Sequence, residues 1–304
     1  MKIFSISLLF IFCILMGCSQ KNTPLSISNN KVSVVATTSI VADLVSVIGD
    51  TAISVSSLMG AGVDPHLYKA SSGDLTLLRE ADVIFYNGLH LEGKMIDVFQ
   101  KLSSSKPVIP IANETLNGLR KISDNLYDPH IWFSVPLWKQ SALIVKNQLI
   151  QSSPNNKVYF EKNYTKYIQT LDSLDQWIRS TIATLPAEKR ILVTAHDAFA
   201  YFGAEYRVTI HSLQGISTMA EFGINDIISL VNTIDSANIP AIFVESSVPP
   251  KSIEAVITAL KTRNKTIRLG GVLYSDALGE KNSSAGTYIG MVKTNVTTIV
   301  SALK

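Results

Sequence analysis

Between Pro154 and Pro186 runs the stretch Val158 to Leu185, 28 residues without a glycine or a proline. Its apolar positions are Tyr164, Ile168, Leu171, Leu174, Ile178, Ile182 and Leu185, spaced by three, four or seven. That spacing is one continuous helical stripe. At 1.5 Å per residue the helix measures about 42 Å, long enough to lie across two neighbouring lobes.

The segments on either side repeat one pattern. Short β-branched runs bounded by turn residues read as buried strands. In the first half these are Val32–Ala36, Ile53–Leu58, Asp82–Tyr86 and Val108–Ile111; in the second they are Ile191–Ala195, Arg207–Ile210, Ala241–Glu245 and Ile267–Val272. Helical patterns such as Ser39–Ile48, Ser72–Glu80, Ile224–Ser236 and Ser252–Thr262 separate most of them. Alternation of this kind implies parallel sheets covered by helices. The expected fold class is therefore α/β: two lobes, each with a mostly four-stranded parallel sheet flanked by helices, bridged by one long rigid helix. The expected boundaries are residues 31–153 for the N-terminal lobe, 154–186 for the linking helix and 187–304 for the C-terminal lobe.

The first thirty residues read differently. Lys2 precedes the apolar run Ile3 to Met16, then Gly17 and Cys18. One positive charge, a short apolar stretch and a small residue near its end fit an export signal over residues 1–17; the run is too short to span a bilayer comfortably. Leu15-Met16-Gly17-Cys18 resembles the bacterial lipobox, whose cysteine is lipidated and becomes the first residue of the mature chain. Residues 18–30 then form a polar tether, and several acyl chains at Cys18 anchor the protein to the bilayer. The expected location is the extracytoplasmic face of a bacterial cell membrane or the periplasm. Cys13 and Cys18 are the two cysteines, so disulfides, thiolate metal ligands and a cysteine nucleophile are excluded beyond them. Twenty-seven basic and 24 acidic residues are spread without a run of five like charges, which gives no support to a nucleic-acid partner.

Chemistry is concentrated in the histidines. Two of the five fall in the same tripeptide, Asp64-Pro65-His66 and Asp128-Pro129-His130, where composition alone predicts about 0.008 such triplets. Proline fixes its own φ and biases the aspartate before it towards extended geometry, so each histidine stands at a rigid loop corner. His196 ends the run Ile191–Ala195, and Asp276 follows the last strand. All four residues lie beyond the carboxyl ends of expected strands, two from each half, where open parallel sheets bind ligands. Three imidazoles and one carboxylate fill a tetrahedral shell around a divalent cation. Glu245, at the end of another strand, is a candidate to orient a ligand histidine, with a backbone-paired carboxylate as the other reading. Asp197 beside His196 and His90 in Gly88-Leu89-His90 are further candidates to support the ligands. His211 has no neighbouring acid and reads as structural. Trp132, Phe133 and Phe199 either dry the site or simply pack the core.

At these residues the chain resembles a known family, the metal-binding lipoproteins that serve ABC importers for zinc and manganese (the cluster A-I substrate-binding proteins). The resemblance covers residues 31–304. It is carried by Ala36-Thr37-Thr38-Ser39-Ile40, Gly62-Val63-Asp64-Pro65-His66, Tyr86-Asn87-Gly88-Leu89-His90, Asp128-Pro129-His130-Ile131-Trp132, His196-Asp197-Ala198-Phe199, Glu245-Ser246-Ser247-Val248-Pro249-Pro250 and Tyr274-Ser275-Asp276-Ala277-Leu278-Gly279. It implies two α/β lobes joined by a long helix, with metal ligands at His66, His130, His196 and Asp276. Many zinc-specific members carry a His/Asp/Glu-rich loop before the second ligand, whereas Ala112–Tyr127 holds no histidine and only Glu114 and Asp124. Many manganese members have glutamate where this chain has His196. The sequence thus resembles the three-His, one-Asp subgroup, with zinc slightly favoured by three nitrogens over manganese, and iron(II) a further possibility.

The function this implies is capture without catalysis. One divalent ion joins the lobes, the rod-like helix limits closure to a small movement, and an ABC transporter permease recognises the loaded monomer. Ligation requires neutral imidazoles, so affinity is expected to fall below about pH 6.5. The rival readings are an exported metal-dependent hydrolase, with Glu245 or Asp197 as general base, and a surface adhesin with a structural metal. No His-Glu-x-x-His stretch is present, which weakens the hydrolase.

Overall fold

The computed structural model describes residues 31–124 and 126–304; the export segment and the tether with Cys18 lie outside the described residues. The N-terminal lobe runs β1 (Val32–Ala36), α1 (Ser39–Gly49), β2 (Ile53–Ser57), α2 (Ser72–Glu80), β3 (Val83–Gly88), α3 (Ile96–Ser103) and β4 (Val108–Ala112). Its sheet is all parallel in the order β2-β1-β3-β4. Helix α1 starts where Thr38 Oγ1 accepts the Val41 amide, and it buries Ile40, Val41, Leu44, Val45 and Ile48, an i, i+1, i+4, i+5, i+8 face. A capping box of Ser71 and Asp74 opens α2.

Two elements absent from the sequence reading follow: a small antiparallel pair, β5 (Lys121–Ser123) and β6 (Leu126–Tyr127), and helix α4 (Val135–Ser152). The chain then makes one 3-10 turn, Pro154–Asn156, and enters α5, Lys157–Ile182. At 26 residues this helix is about 39 Å long. It ends three residues before the expected Leu185, because Pro186 disfavours α geometry in the residue preceding it; the chain leaves by a tight turn in which the Leu185 amide donates to the Ile182 carbonyl. The expected stripe is buried at Leu171, Leu174, Ile178 and Ile182, and Phe160 and Tyr167 extend it.

The C-terminal lobe runs β7 (Ile191–His196), α6 (Ala200–Tyr206), β8 (Thr209–Gln214), α7 (Ile224–Ser236), β9 (Ala241–Glu245), α8 (Lys251–Thr262), β10 (Arg268–Leu273) and α9 (Tyr288–Leu303). Its four strands hydrogen-bond as two parallel pairs, β7–β8 and β9–β10. Strand β7 lies alongside β9, yet the amides of Ala195 and His196 at its end donate to the Glu245 side chain instead of to a strand carbonyl. The expected strand Arg207–Ile210 also shifts. Arg207 closes α6 in the left-handed conformation, φ 58°, so β8 begins at Thr209 and His211 sits inside it opposite Val193.

The lobes are fused through their cores. One buried cluster takes in Val34, Leu44 and Phe85 of the first lobe, Leu192, Phe243 and Leu273 of the second, and Leu171, Leu174 and Ile178 of α5. Helix α5 packs on α1, α4, α6 and α9. Polar ties follow the same route: Asn163 Nδ2 donates to the Ile48 carbonyl, Trp138 Nε1 to the Tyr167 hydroxyl, and the Tyr288 amide to Asp43 Oδ2.

Candidate metal centre

Three loops and the end of one strand converge where the two lobes meet. His66 lies in the loop after β2, His130 beyond β6, His196 at the last position of β7 and Asp276 three residues past β10. All four are buried, none more than 3% exposed. One donor atom from each lies within 4.8 Å of every other. His196 Nε2 stands 3.3 Å from Asp276 Oδ2 and 3.4 Å from His130 Nε2, and His130 Nε2 is 3.5 Å from Asp276 Oδ1. His66 Nε2 is 4.0 Å from Asp276 Oδ2. Around a tetrahedral ion with bonds of 2.0–2.1 Å, neighbouring donors are separated by about 3.3 to 3.4 Å. The two distances from His196 Nε2 already have that length, His130 Nε2 is slightly farther from the other Asp276 oxygen, and His66 Nε2 stands off from Asp276 by more.

The donors have little else to bind. Among the described residues, five buried side-chain polar atoms lack a hydrogen-bond partner, and three of them are His66 Nε2 and both oxygens of Asp276. Buried polar atoms are nearly always paired, so three orphans facing one point mark a place for a cation.

Carboxylates hold two of the rings from behind. Asp128 Oδ1 is 2.7 Å from His130 Nδ1 and accepts the His130 amide at 3.1 Å. Glu245 Oε2 is 2.6 Å from His196 Nδ1, while its Oε1 accepts the amides of Ala195 and His196. Each carboxylate points Nε2 of its ring at the shared point. The other Asp-Pro-His triplet works differently: Asp64 Oδ1 accepts the His66 amide, but Oδ2 accepts the Thr218 hydroxyl of the other lobe at 2.6 Å. The ring of His66 is therefore placed by its loop and not by a carboxylate.

Glu245 is thus both paired with the backbone and set against the His196 ring. Asp197 does not touch a ligand ring; its Oδ2 meets Arg120 Nη1 at 3.4 Å, and the same nitrogen reaches Asp128 Oδ2 at 3.2 Å. His90 is exposed and lines, with His66, Leu89, Arg120, Asp197 and Met219, a hollow of about 700 Å³ outside the cluster. It makes no hydrogen bond to the four donors among the described residues. His211 lies apart from the cluster, in β8. Asp128 was not singled out from the sequence as an orienting group, although the repeated triplet was its signal.

The loop beside His90 is built on backbone that few residues adopt. Gly88, Leu89 and His90 have φ of 92°, 51° and 65°. Only glycine fits at position 88, since a Cβ there would collide with the Ala112 carbonyl oxygen. The buried Glu92 steadies this loop by accepting from the Thr37 hydroxyl and the Asn87 and Gly88 amides. Asn87 Nδ2 in turn donates to the Pro129 carbonyl, next to His130.

The charges follow from burial and neighbours. Burial holds the His66 pKa down at about 3, so the ring is neutral at any ordinary pH. Burial also works against charge on His196, but Glu245 and Asp276 outweigh it and hold that pKa well above the usual imidazole value. Burial opposes the charge of Asp276 as well, and here the imidazoles prevail and keep it ionised far below neutral pH.

The family described as zinc-uptake complex component A, periplasmic, matches residues 34–302. The chain belongs to that family. It is 45% identical over 300 residues to the manganese-binding lipoprotein MntA of Bacillus subtilis, covering 98% of each chain. It is 44% identical over 278 residues to the zinc-binding protein TroA of Treponema pallidum, covering 91% of this chain and 90% of that one. The solved structure of that periplasmic zinc-binding protein superposes with a TM-score of 0.88, covering 90% of this chain and 99% of the other. The α/β architecture and long helix of this chain are thus those of a metal-binding family, whose relatives carry both zinc and manganese in their names.

Proposed function

We propose that the protein captures one divalent transition-metal ion through His66, His130, His196 and Asp276, outside the cytoplasm, and hands it to the membrane permease of an ABC importer. The observation that carries this reading is the convergence of four buried donors from two lobes, three of whose atoms have no other partner. The ion is cargo, so tight but reversible ligation is the whole task. Three nitrogens and one carboxylate favour zinc by softness, and a carboxylate binding through both oxygens opens the site to manganese; zinc is the metal we favour. Against hydrolysis counts the engagement of Glu245, which accepts two amides and an imidazole and so has no oxygen free to activate water. The shared core under both lobes favours a small local adjustment on loading over a wide hinge motion. Within this reading residues 1–17 direct export, Cys18 carries the lipid, residues 18–30 are the tether, and the protein acts as a monomer.

The test is elemental analysis of protein purified without added metal, followed by zinc and manganese competition on the native chain and on Asp276→Ala. One ion per chain, lost in the variant, is expected. Binding of equal strength in both would overturn the assignment.

A further inference from the structure

We propose that Trp132 is a positioning residue: it sets the spacing between His130 and Asp276 and so the coordination geometry offered to the ion. The proposal rests on the metal-capture reading above. His130 and Asp276 come from different lobes, and nothing in either loop alone fixes one against the other. Trp132 does so directly. It lies two residues after His130 in the turn Ile131–Phe133, with its ring edge-on to the His130 ring at 5.3 Å and 70°. Its Nε1 crosses to the other lobe and donates to the carbonyl of Ser275 at 2.8 Å. Ser275 is the residue before Asp276, and its side chain is pinned to the Ser247 hydroxyl at 2.8 Å.

The Trp132 main chain is itself held: its carbonyl accepts the Tyr288 hydroxyl at 2.8 Å. The Tyr288 ring stacks on Trp138 at 4.9 Å and 22°, and Trp138 Nε1 donates to the Tyr167 hydroxyl on α5 at 3.0 Å. A rigid path therefore runs from the long helix to the peptide that carries Asp276. A metal site tolerates only about 0.2 Å of error in its bond lengths. An indole N–H with two stiff torsions is suited to that tolerance, and a buried carbonyl deprived of its donor would turn the 275–276 peptide to find another.

The experiment uses the full-length protein and three variants: Trp132→Phe, which keeps an aromatic ring but no N–H; Tyr288→Phe, which removes only the hydroxyl that holds the Trp132 carbonyl; and Asp276→Ala. Zinc affinity is measured by competition with a chelator, and cobalt(II) serves as a visible probe, because its d–d bands report the symmetry of its ligands. The expected result for Trp132→Phe is a loss of zinc affinity of about tenfold or more, as for other residues that orient metal ligands, together with altered cobalt bands. Tyr288→Phe moves both in the same direction by less. Unchanged zinc affinity, or weakened affinity with unchanged cobalt bands, would overturn the proposal, the latter marking a role in stability alone. Should Trp132→Phe fail to fold, Tyr288→Phe decides on the same two readouts. If Asp276→Ala binds both ions as the native protein does, the capture reading itself falls; if Asp276→Ala loses them while Trp132→Phe matches the native protein, only the positioning role falls.

Discussion

Replacing Glu245 by glutamine is predicted to change how many protons leave when the ion arrives. In the metal-free site His66 is neutral, its pKa held at about 3 by burial, and Asp276 is already ionised. Among these residues His196 has a proton to surrender at neutral pH, because Glu245 and Asp276 together outweigh its burial and raise its pKa well above the ordinary value. Metal binding at pH 7 should therefore release about one proton from this ring, and affinity should rise about tenfold per pH unit there, equivalent to about 1.4 kcal/mol. This moves the proton competition upward from the pH 6.5 that ordinary imidazoles would give. Glutamine at position 245 keeps an oxygen for the Ala195 and His196 amides but removes the charge 2.6 Å from His196 Nδ1. The proton affinity of the ring falls, so proton release at pH 7 shrinks towards zero and the slope flattens. Affinity well above neutral pH should still drop about 10- to 100-fold, because the ring has lost its orienting partner. Titration calorimetry in buffers of different ionisation enthalpy counts the protons directly. Release near zero in the native protein at pH 7, or release unchanged in Glu245→Gln, would refute the reasoning.

Three other predictions use independent parts of the molecule. Asp128→Asn, which weakens the hold on His130 Nδ1, should lower metal affinity about tenfold or more with little change in unfolding midpoint of the metal-free protein, checked by chelator competition beside thermal melts. Leu171→Ala on α5, a fully buried position in the core shared by both lobes, should cost about 2–5 kcal/mol in denaturant unfolding and do so in one transition, not two. Asp43, whose carboxyl is raised by burial to about 6, binds a proton in the folded chain between about pH 4 and 6 while the unfolded chain does not, so metal-free stability should fall as pH rises through that window. Asp43→Asn, which can still accept the Tyr288 amide, should flatten that slope in urea titrations.

The sequence made the strands and the long helix legible because their signals are local. A β-branched run between turn residues and a stripe at helical spacing need no knowledge of the rest of the chain. The four donors were legible for a related reason, since each follows a strand and parallel sheets bind at that end. What escaped was set by contacts between distant segments. The β5–β6 pair is too short to show periodicity, and the amides that end β7 go to a glutamate side chain 49 and 50 residues away. The unequal use of the two Asp-Pro-His triplets depends on whether the aspartate finds its own imidazole or Thr218, 154 residues on. Arg207 looked like the first residue of a strand because the left-handed closure of α6 leaves no mark on residue type there.

The shared core also bears on how the chain matures. Helix α9, the last described, supplies Tyr288, Met291, Val296 and Ile299 to the same buried cluster that α1 and α5 open more than a hundred residues earlier. Until those side chains emerge, α1, α4 and α5 can pack on one another but the part of the core that α9 covers stays open. Contacts of such long sequence separation slow folding and leave incomplete chains prone to aggregation. A nascent polypeptide of this design leaves part of its core uncovered until helix α9 is made.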